Sequence, residues 1–175
     1  MDIDKPYDYR NCQSLFGYAM VVHARSGGIC VLCGAGRGRI DFDLWRQMTV
    51  EHLIGESQGG YLSAVRTAVQ DRFPDLSPIE LALLVEQIDK ANTVTACSFC
   101  NATTSRDRAE QSMAEVLAVP GTPEVVLAHV GAVTVEILER KRRVVSWKLE
   151  SVRAAFESMV VPGLEAARTA ARPGG

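Results

Sequence analysis

A chain of 175 residues with 47% hydrophobic and 23% charged residues has room for one real hydrophobic core, and is too short for two independent enzymatic domains. Its apolar runs are broken by charge well before 18 residues, which excludes a membrane span, and the polar start Met1-Asp-Ile-Asp-Lys-Pro lacks the pattern of a signal peptide, so a cytoplasmic protein is expected. The formal net charge of −2 argues against a surface coated in basic residues, the usual mark of a nonspecific nucleic-acid binder.

After a polar lead-in, Leu15, Tyr18, Ala19 and Val22 recur at helical spacing, and Ser26-Gly27-Gly28 ends that helix. The segment Cys30-Val-Leu-Cys33-Gly-Ala-Gly-Arg-Gly38 reads as a tight turn. Alternating apolar positions between Ile40 and Val50 predict a short strand running into Glu51-His52-Leu53-Ile54. A loop through Gly59-Gly60 leads to helices at roughly 62–73 and 77–89, split by Pro74. The segment from Asn92 to Cys97 favours a strand, and Cys97-Ser-Phe-Cys100-Asn101 leads into a helix to about Leu117. Pro120-Gly121-Thr122-Pro123 marks a break and a new helix start, with Thr122 as N-cap. The long helix that follows runs to Pro162-Gly163, with a short alanine-rich helical stretch after it. Leu138, Arg142, Val145, Leu149, Val152, Phe156 and Met159 form a seam along it, suited to one partner helix and hence to a homodimer.

The strongest chemical signal is the pair of Cys-x-x-Cys turns, Cys30/Cys33 and Cys97/Cys100. Four soft thiolates in two tight turns meet the needs of tetrahedral structural Zn²⁺. A redox pair or four unrelated buried cysteines is the competing reading, and two such turns together favour zinc. Cys12 is left over. The Gly34-x-Gly-x-Gly38 run, with no strand–loop–helix unit around it, belongs to the turn of the knuckle rather than to a nucleotide loop.

Between the cysteine pairs stand Glu51-His52 and Gly59-Gly60; Asn92 precedes the second pair and Asn101 follows it directly. This ordered set, over about residues 14–110, resembles the zinc-supported form of the HNH endonuclease family. The resemblance implies a ββα-metal finger embedded in an α+β, mostly helical chain. It implies a nuclease core over 1–118 with a helical insertion at about 62–89, and leaves 119–175 as a helical extension. It also implies His52 as general base, near-neutral in pKa and so able to take a proton from water. Glu51 and Asn101 would hold one catalytic Mg²⁺ or Mn²⁺ through hard oxygens. Asn92 would orient His52 by hydrogen bonds to the backbone of its loop. Successive strand residues point to opposite faces, so Glu51 and His52 share a site only if the strand bends there. The chain departs from the family in carrying Glu51 for the commoner Asp, and Thr104 where a basic residue is frequent. A histidine at a strand end also fits a purely structural role, as His23 does; His129 is assigned none.

Charge is unevenly spread. Segment 71–89 is acidic, whereas 136–153 holds Arg140, Lys141, Arg142, Arg143, Lys148 and Arg153 against three glutamates. Arg140, Lys141 and Arg143, with Arg37, Arg39, Arg106 and Arg108 near the site, are the candidates for DNA or RNA phosphate contacts. The tail charges fit a solvated helix face with i,i+4 pairs equally well. The expected activity is hydrolysis of DNA phosphodiesters. The alternatives are the same chemistry on RNA, or a non-catalytic zinc module binding nucleic acid or protein.

Overall fold

The computed structural model describes residues 18–39, 41–54, 61–104 and 111–171. Helix α1 (Tyr18–Arg25) buries Ala19, Val22 and His23, which lie three and four residues apart on one side. It ends as Ser26-Gly27-Gly28 predicts: Gly28 N–H reaches back to His23 O at 2.9 Å, with positive φ at both glycines. The cysteine turn follows. Gly36 has φ +98°, and a Cβ there would stand 2.8 Å from Gly28 O, so only glycine lets the turn close against the end of α1.

The stretch expected to alternate as a strand is divided in two. Asp41 caps a single helical turn, α2 (Phe42–Trp45), by accepting from Leu44 N at 3.0 Å. Strand β1 then covers Met48–His52. It pairs antiparallel with β2 (Thr93–Cys97) in the register Met48↔Cys97 to His52↔Thr93, without a bulge.

The insertion joining these strands contains α3 (Tyr61–Arg72) and α4 (Pro78–Asn92), the latter started by a Ser77/Glu80 capping box. Helix α4 runs straight into β2, so Asn92 is its last residue rather than the first of the strand. The helix expected from Cys97 to Leu117 is described as α5 (Ser98–Thr104) and α6 (Met113–Leu117). Its middle lies outside the described residues, as do Cys12, Gly59-Gly60, Arg106 and Arg108.

Among the described residues, two apolar clusters form the core. The larger gathers Val65, Val69, Leu84, Ile88, Val116, Leu117, Val126 and Val130 from α3, α4, α6 and the long helix α7 (Pro123–Ala155). The smaller surrounds the cysteines with Leu32, Met48, Ala96 and Val145. Helix α7, about 50 Å long at 1.5 Å per residue, contributes to both, so it is a structural member of the core region rather than an appendage. Beyond it the helix widens to a π turn (Phe156–Val160) before α8 (Val161–Ala170). Pro162 lacks an N–H and its ring would meet the Ser158 carbonyl, so the chain absorbs the proline by loosening one turn where the sequence predicted a break. The expected seam is shared between two environments. Leu138, Val145 and Leu149 pack on the core, whereas Val152, Phe156 and Met159 are exposed. The chain is thus α+β and mostly helical with a small two-stranded sheet. No helix among the described residues is long and apolar enough to cross a membrane.

Candidate functional site

The knuckle between α1 and α2 and the start of α5 bring Cys30, Cys33, Cys97 and Cys100 together, their sulfurs all within 4.8 Å of one another. The Cys33 and Cys97 sulfurs lie 3.9 Å apart. A disulfide needs about 2.05 Å; a tetrahedron of sulfurs around zinc at about 2.3 Å has edges of about 3.8 Å. The thiols shift in different directions. Burial pushes the Cys33 thiol up to about 11 and that of Cys100 higher still, with the neighbouring cysteines adding to the latter. Cys30 shifts the other way: burial opposes its ionisation, but amide donors at Cys97, Cys33 and Leu32 outweigh it. Four thiolates cannot share so small a volume without a divalent ion to neutralise them. The cluster can therefore hold a zinc ion.

The hairpin standing on this cluster has two chemically different faces. Because the register is regular, cross-strand partners share a face: Val50, Thr95, His52 and Thr93 on one, Thr49, Ala96, Glu51 and Val94 on the other. Helix α1 covers the first. There His23 Nδ1 lies 3.0 Å from Thr95 Oγ1, and Arg25 donates to Thr93 O at 2.9 Å. His52 stands against Tyr61, edge to face at 4.4 Å, with the Tyr18 ring parallel at 6.5 Å. The Tyr18 hydroxyl donates to Asp89 Oδ1 at 2.8 Å and lies 3.5 Å from His52 Nε2. His52 Nδ1 is buried without a hydrogen-bond partner among the described residues. Burial holds the imidazole below its usual pKa, and the Asp89 charge offsets part of that effect.

Asn92, fully buried, ties down the chain just after His52. Its Oδ1 accepts from Ile54 N at 2.7 Å, and its Nδ2 donates to Ile54 O at 2.9 Å and to the Tyr61 oxygen at 2.6 Å. Leu53 N also donates to Asn92 O at 2.9 Å. The backbone clamp expected of this asparagine is thus present as geometry.

Helices α5 and α7 cover the other face. Asn101 Nδ2 donates to Thr49 Oγ1 at 2.9 Å, which turns its carbonyl oxygen into the end a cation could use. Glu51, 5% exposed, meets Lys141 Nζ at 2.5 Å from its Oε1. Glu51 and Asn101 therefore share a face, and His52 lies on the opposite one. No bend brings them together. As donors, one carboxylate and one amide oxygen suit a hard divalent ion. As arranged they do not fit it, because the carboxylate is already neutralised by a buried ammonium.

The arginines part company in the same way. Arg37, Arg39 and Arg143 are exposed, Arg39 pairing with Asp41 at 2.7 Å, whereas Arg140 is half-buried. Lys141 is 3% exposed and faces inward, which removes it from the residues able to touch an external phosphate. Its role was legible from its position: it falls on the buried stripe Val130, Thr134, Ile137, Val145 of α7. Tyr18, Tyr61 and Asp89, the neighbours of His52, have no such signal, since they come from distant segments that only the fold brings together. Comparison of the chain with known protein families, curated proteins and solved structures finds no match.

Proposed function

We propose that the chain is an HNH-type endonuclease that hydrolyses DNA phosphodiester bonds, with His52 as general base positioned by Asn92. The observation that carries this reading is the Asn92 clamp. A buried asparagine spends both ends of its amide on the backbone of Ile54, fixing the segment directly after His52, within a strand–strand–helix unit that stands on four cysteines. Such rigidity is what a positioned base requires. The depressed pKa keeps His52 neutral, and so able to accept a proton, at physiological pH. Zn²⁺ in the cysteine cluster is structural in this reading. Glu51 and Asn101 would be the residues to hold one Mg²⁺ or Mn²⁺, an ion that would supply positive charge to the phosphate; with Glu51 paired to Lys141 they do not fit it as arranged, and the reading rests on His52 and Asn92. Arg37, Arg39 and Arg143 contact the nucleic-acid backbone.

A second reading is favoured by a specific observation. The Glu51–Lys141 ion pair and the separation of Glu51 from His52 are also what a zinc module without catalytic activity, binding nucleic acid or protein, would show. Incubating the full chain with supercoiled plasmid, linear DNA and RNA, in Mg²⁺ or Mn²⁺, separates the two. The nuclease reading expects DNA cleavage that falls by roughly 10²–10⁴-fold in His52→Ala and is lost in Asn101→Ala. Cleavage undiminished in His52→Ala overturns it. Nucleic-acid binding with no cleavage by any form establishes the second reading, and cleavage confined to RNA redirects the first.

A further inference from the structure

We propose that Asp89, acting through the Tyr18 hydroxyl, sets the tautomer of His52, placing the ring proton on Nε2 and leaving the lone pair on Nδ1. Three segments distant in the chain meet at this point. Tyr18 opens α1, His52 closes β1, and Asp89 lies in the last turn of α4. A tyrosine hydroxyl has one proton to give, and Tyr18 spends it on Asp89 Oδ1 at 2.8 Å. Burial pushes the phenol well above its usual pKa, with Asp89 adding to the effect, so the proton stays on the oxygen. What that oxygen turns toward His52 Nε2, 3.5 Å away, is therefore a lone pair. A second lone pair on Nε2 would be repelled, whereas an N–H there is attracted. The sign of this long contact, rather than its strength, selects the tautomer. A neutral imidazole carries a single N–H, so Nδ1 is left as the acceptor.

The other neighbours of the ring leave this choice to Tyr18. Nδ1 is buried with no hydrogen-bond partner among the described residues, and Tyr61 meets the ring edge to face while its oxygen accepts from Asn92 Nδ2. Asp89 stands where a carboxylate is otherwise disfavoured: partly buried, which raises its pKa, and at the negative end of the α4 dipole. That helix end is nonetheless fastened. Thr93 Oγ1 donates to Asp89 O at 2.7 Å, and Arg25 donates to Lys90 O at 3.1 Å and to Thr93 O at 2.9 Å. A costly carboxylate held this firmly is suited to fixing a neighbour's proton. The proposal rests on the reading of His52 as base for one consequence. The nitrogen that takes the proton is Nδ1, and Asp89 and Tyr18 are positioning residues on the far side of the ring.

The test is nitrogen-15 NMR of the histidine side chains in the full chain, with the His52 signals identified by their loss in His52→Gln. The wild type is expected to show a protonated Nε2 and an unprotonated Nδ1 in the neutral ring. Asp89→Leu frees the Tyr18 hydroxyl to donate to Nε2, and the two nitrogens are then expected to exchange roles. In a Tyr18→Phe background the same substitution is expected to leave the tautomer populations unchanged. A wild type protonated at Nδ1, or an Asp89→Leu spectrum like that of the wild type, overturns the proposal. Should Asp89→Leu fail to fold, Tyr18→Phe decides: its Nε2–H resonance is expected to move, and an unmoved one overturns the proposal. Cleavage is read separately. In Asp89→Leu, kcat is expected to fall by up to roughly 10²–10⁴-fold at unchanged KM, because Nδ1 then holds the proton. Unchanged cleavage beside an exchanged tautomer overturns the consequence for the base and supports the tautomer assignment. Absence of cleavage by the wild type overturns the nuclease reading, and the spectra alone then decide the tautomer.

Discussion

The two faces of the hairpin satisfy buried polar groups by opposite means. Beneath α1, the buried polar side chains are mainly neutral, imidazoles, phenols and threonine hydroxyls fastened by an asparagine amide, with the partly buried Asp89 carboxylate and the exposed Arg25 guanidinium hydrogen-bonded to them. Beneath α5 and α7, a full carboxylate is matched by a full ammonium. Neutral hydrogen-bonded groups are cheap to bury and rigid once placed, whereas a buried ion pair is stable only while both members remain. The first face is therefore suited to holding a side chain in one position. The second depends on both of its charges staying in place.

The largest perturbation acts on both faces at once. The cysteine knuckle anchors the hairpin through Val31 N to Thr95 O and Ser98 N to Gln47 O, at 3.0 and 2.8 Å. Structural zinc in small finger peptides is worth roughly 10–16 kcal/mol. Chelation, or Cys100→Ser, is expected to unfold the hairpin region, read by circular dichroism alongside one equivalent of released zinc. Retention of the native spectrum after complete zinc removal would show that the apolar clusters alone hold the two faces together.

Lys141→Met strikes the charged face only. Leaving Glu51 as an unpaired buried charge is expected to cost about 3–5 kcal/mol, and Glu51→Met/Lys141→Met to recover most of it. A double variant as unstable as the single one would mean that packing at the site matters more than charge. On the neutral face, Asn92→Ala strands both backbone groups of Ile54, at about 1–3 kcal/mol for each group left unsatisfied. Its loss of cleavage activity is expected to exceed its loss of folded protein, since His52 is released as well.

Acid is expected to distinguish the faces more gently. Burial lowers the pKa of both His23 and His52 below the usual value. The unfolded chain then takes up protons that the folded chain refuses. The stability these histidines confer is complete above the unfolded value of about 6.5 and is lost as pH falls through their depressed folded values. Urea denaturation at neutral pH and again in mild acid is expected to show this loss, with a smaller loss in His23→Gln. The smallest effect belongs to the exposed end of the tail. Removing residues 156–175 is expected to change stability by less than about 0.5 kcal/mol, because Phe156, Met159 and Leu164 bury little in the single chain. A larger, concentration-dependent loss would mean that a second chain covers them.

Much of this molecule could be read in advance wherever the governing interaction is local. Capping at Ser77, the glycine end of α1, the proline start of α7 and the two cysteine turns depend on residues within a few positions of one another. The strand register is different. Nothing near Glu51 and His52 in the chain says whether the strand bends between them; the distant partner strand, Thr93–Cys97, decides that it does not. Lys141 is a mixed case. Its place on a buried stripe is visible, but its partner lies 90 residues earlier.

The cysteine quartet, the helical framework and the candidate polar residues follow from residue type and short spacing, which govern ligand sets, caps and amphipathic faces. Which of those residues face one another is settled by long-range pairing. Side-chain direction in a strand alternates with every residue, and the register that fixes it is set by pairing with a distant segment. That same register placed Glu51 opposite a lysine and His52 among tyrosines, and so separated two neighbours in the chain into two different environments.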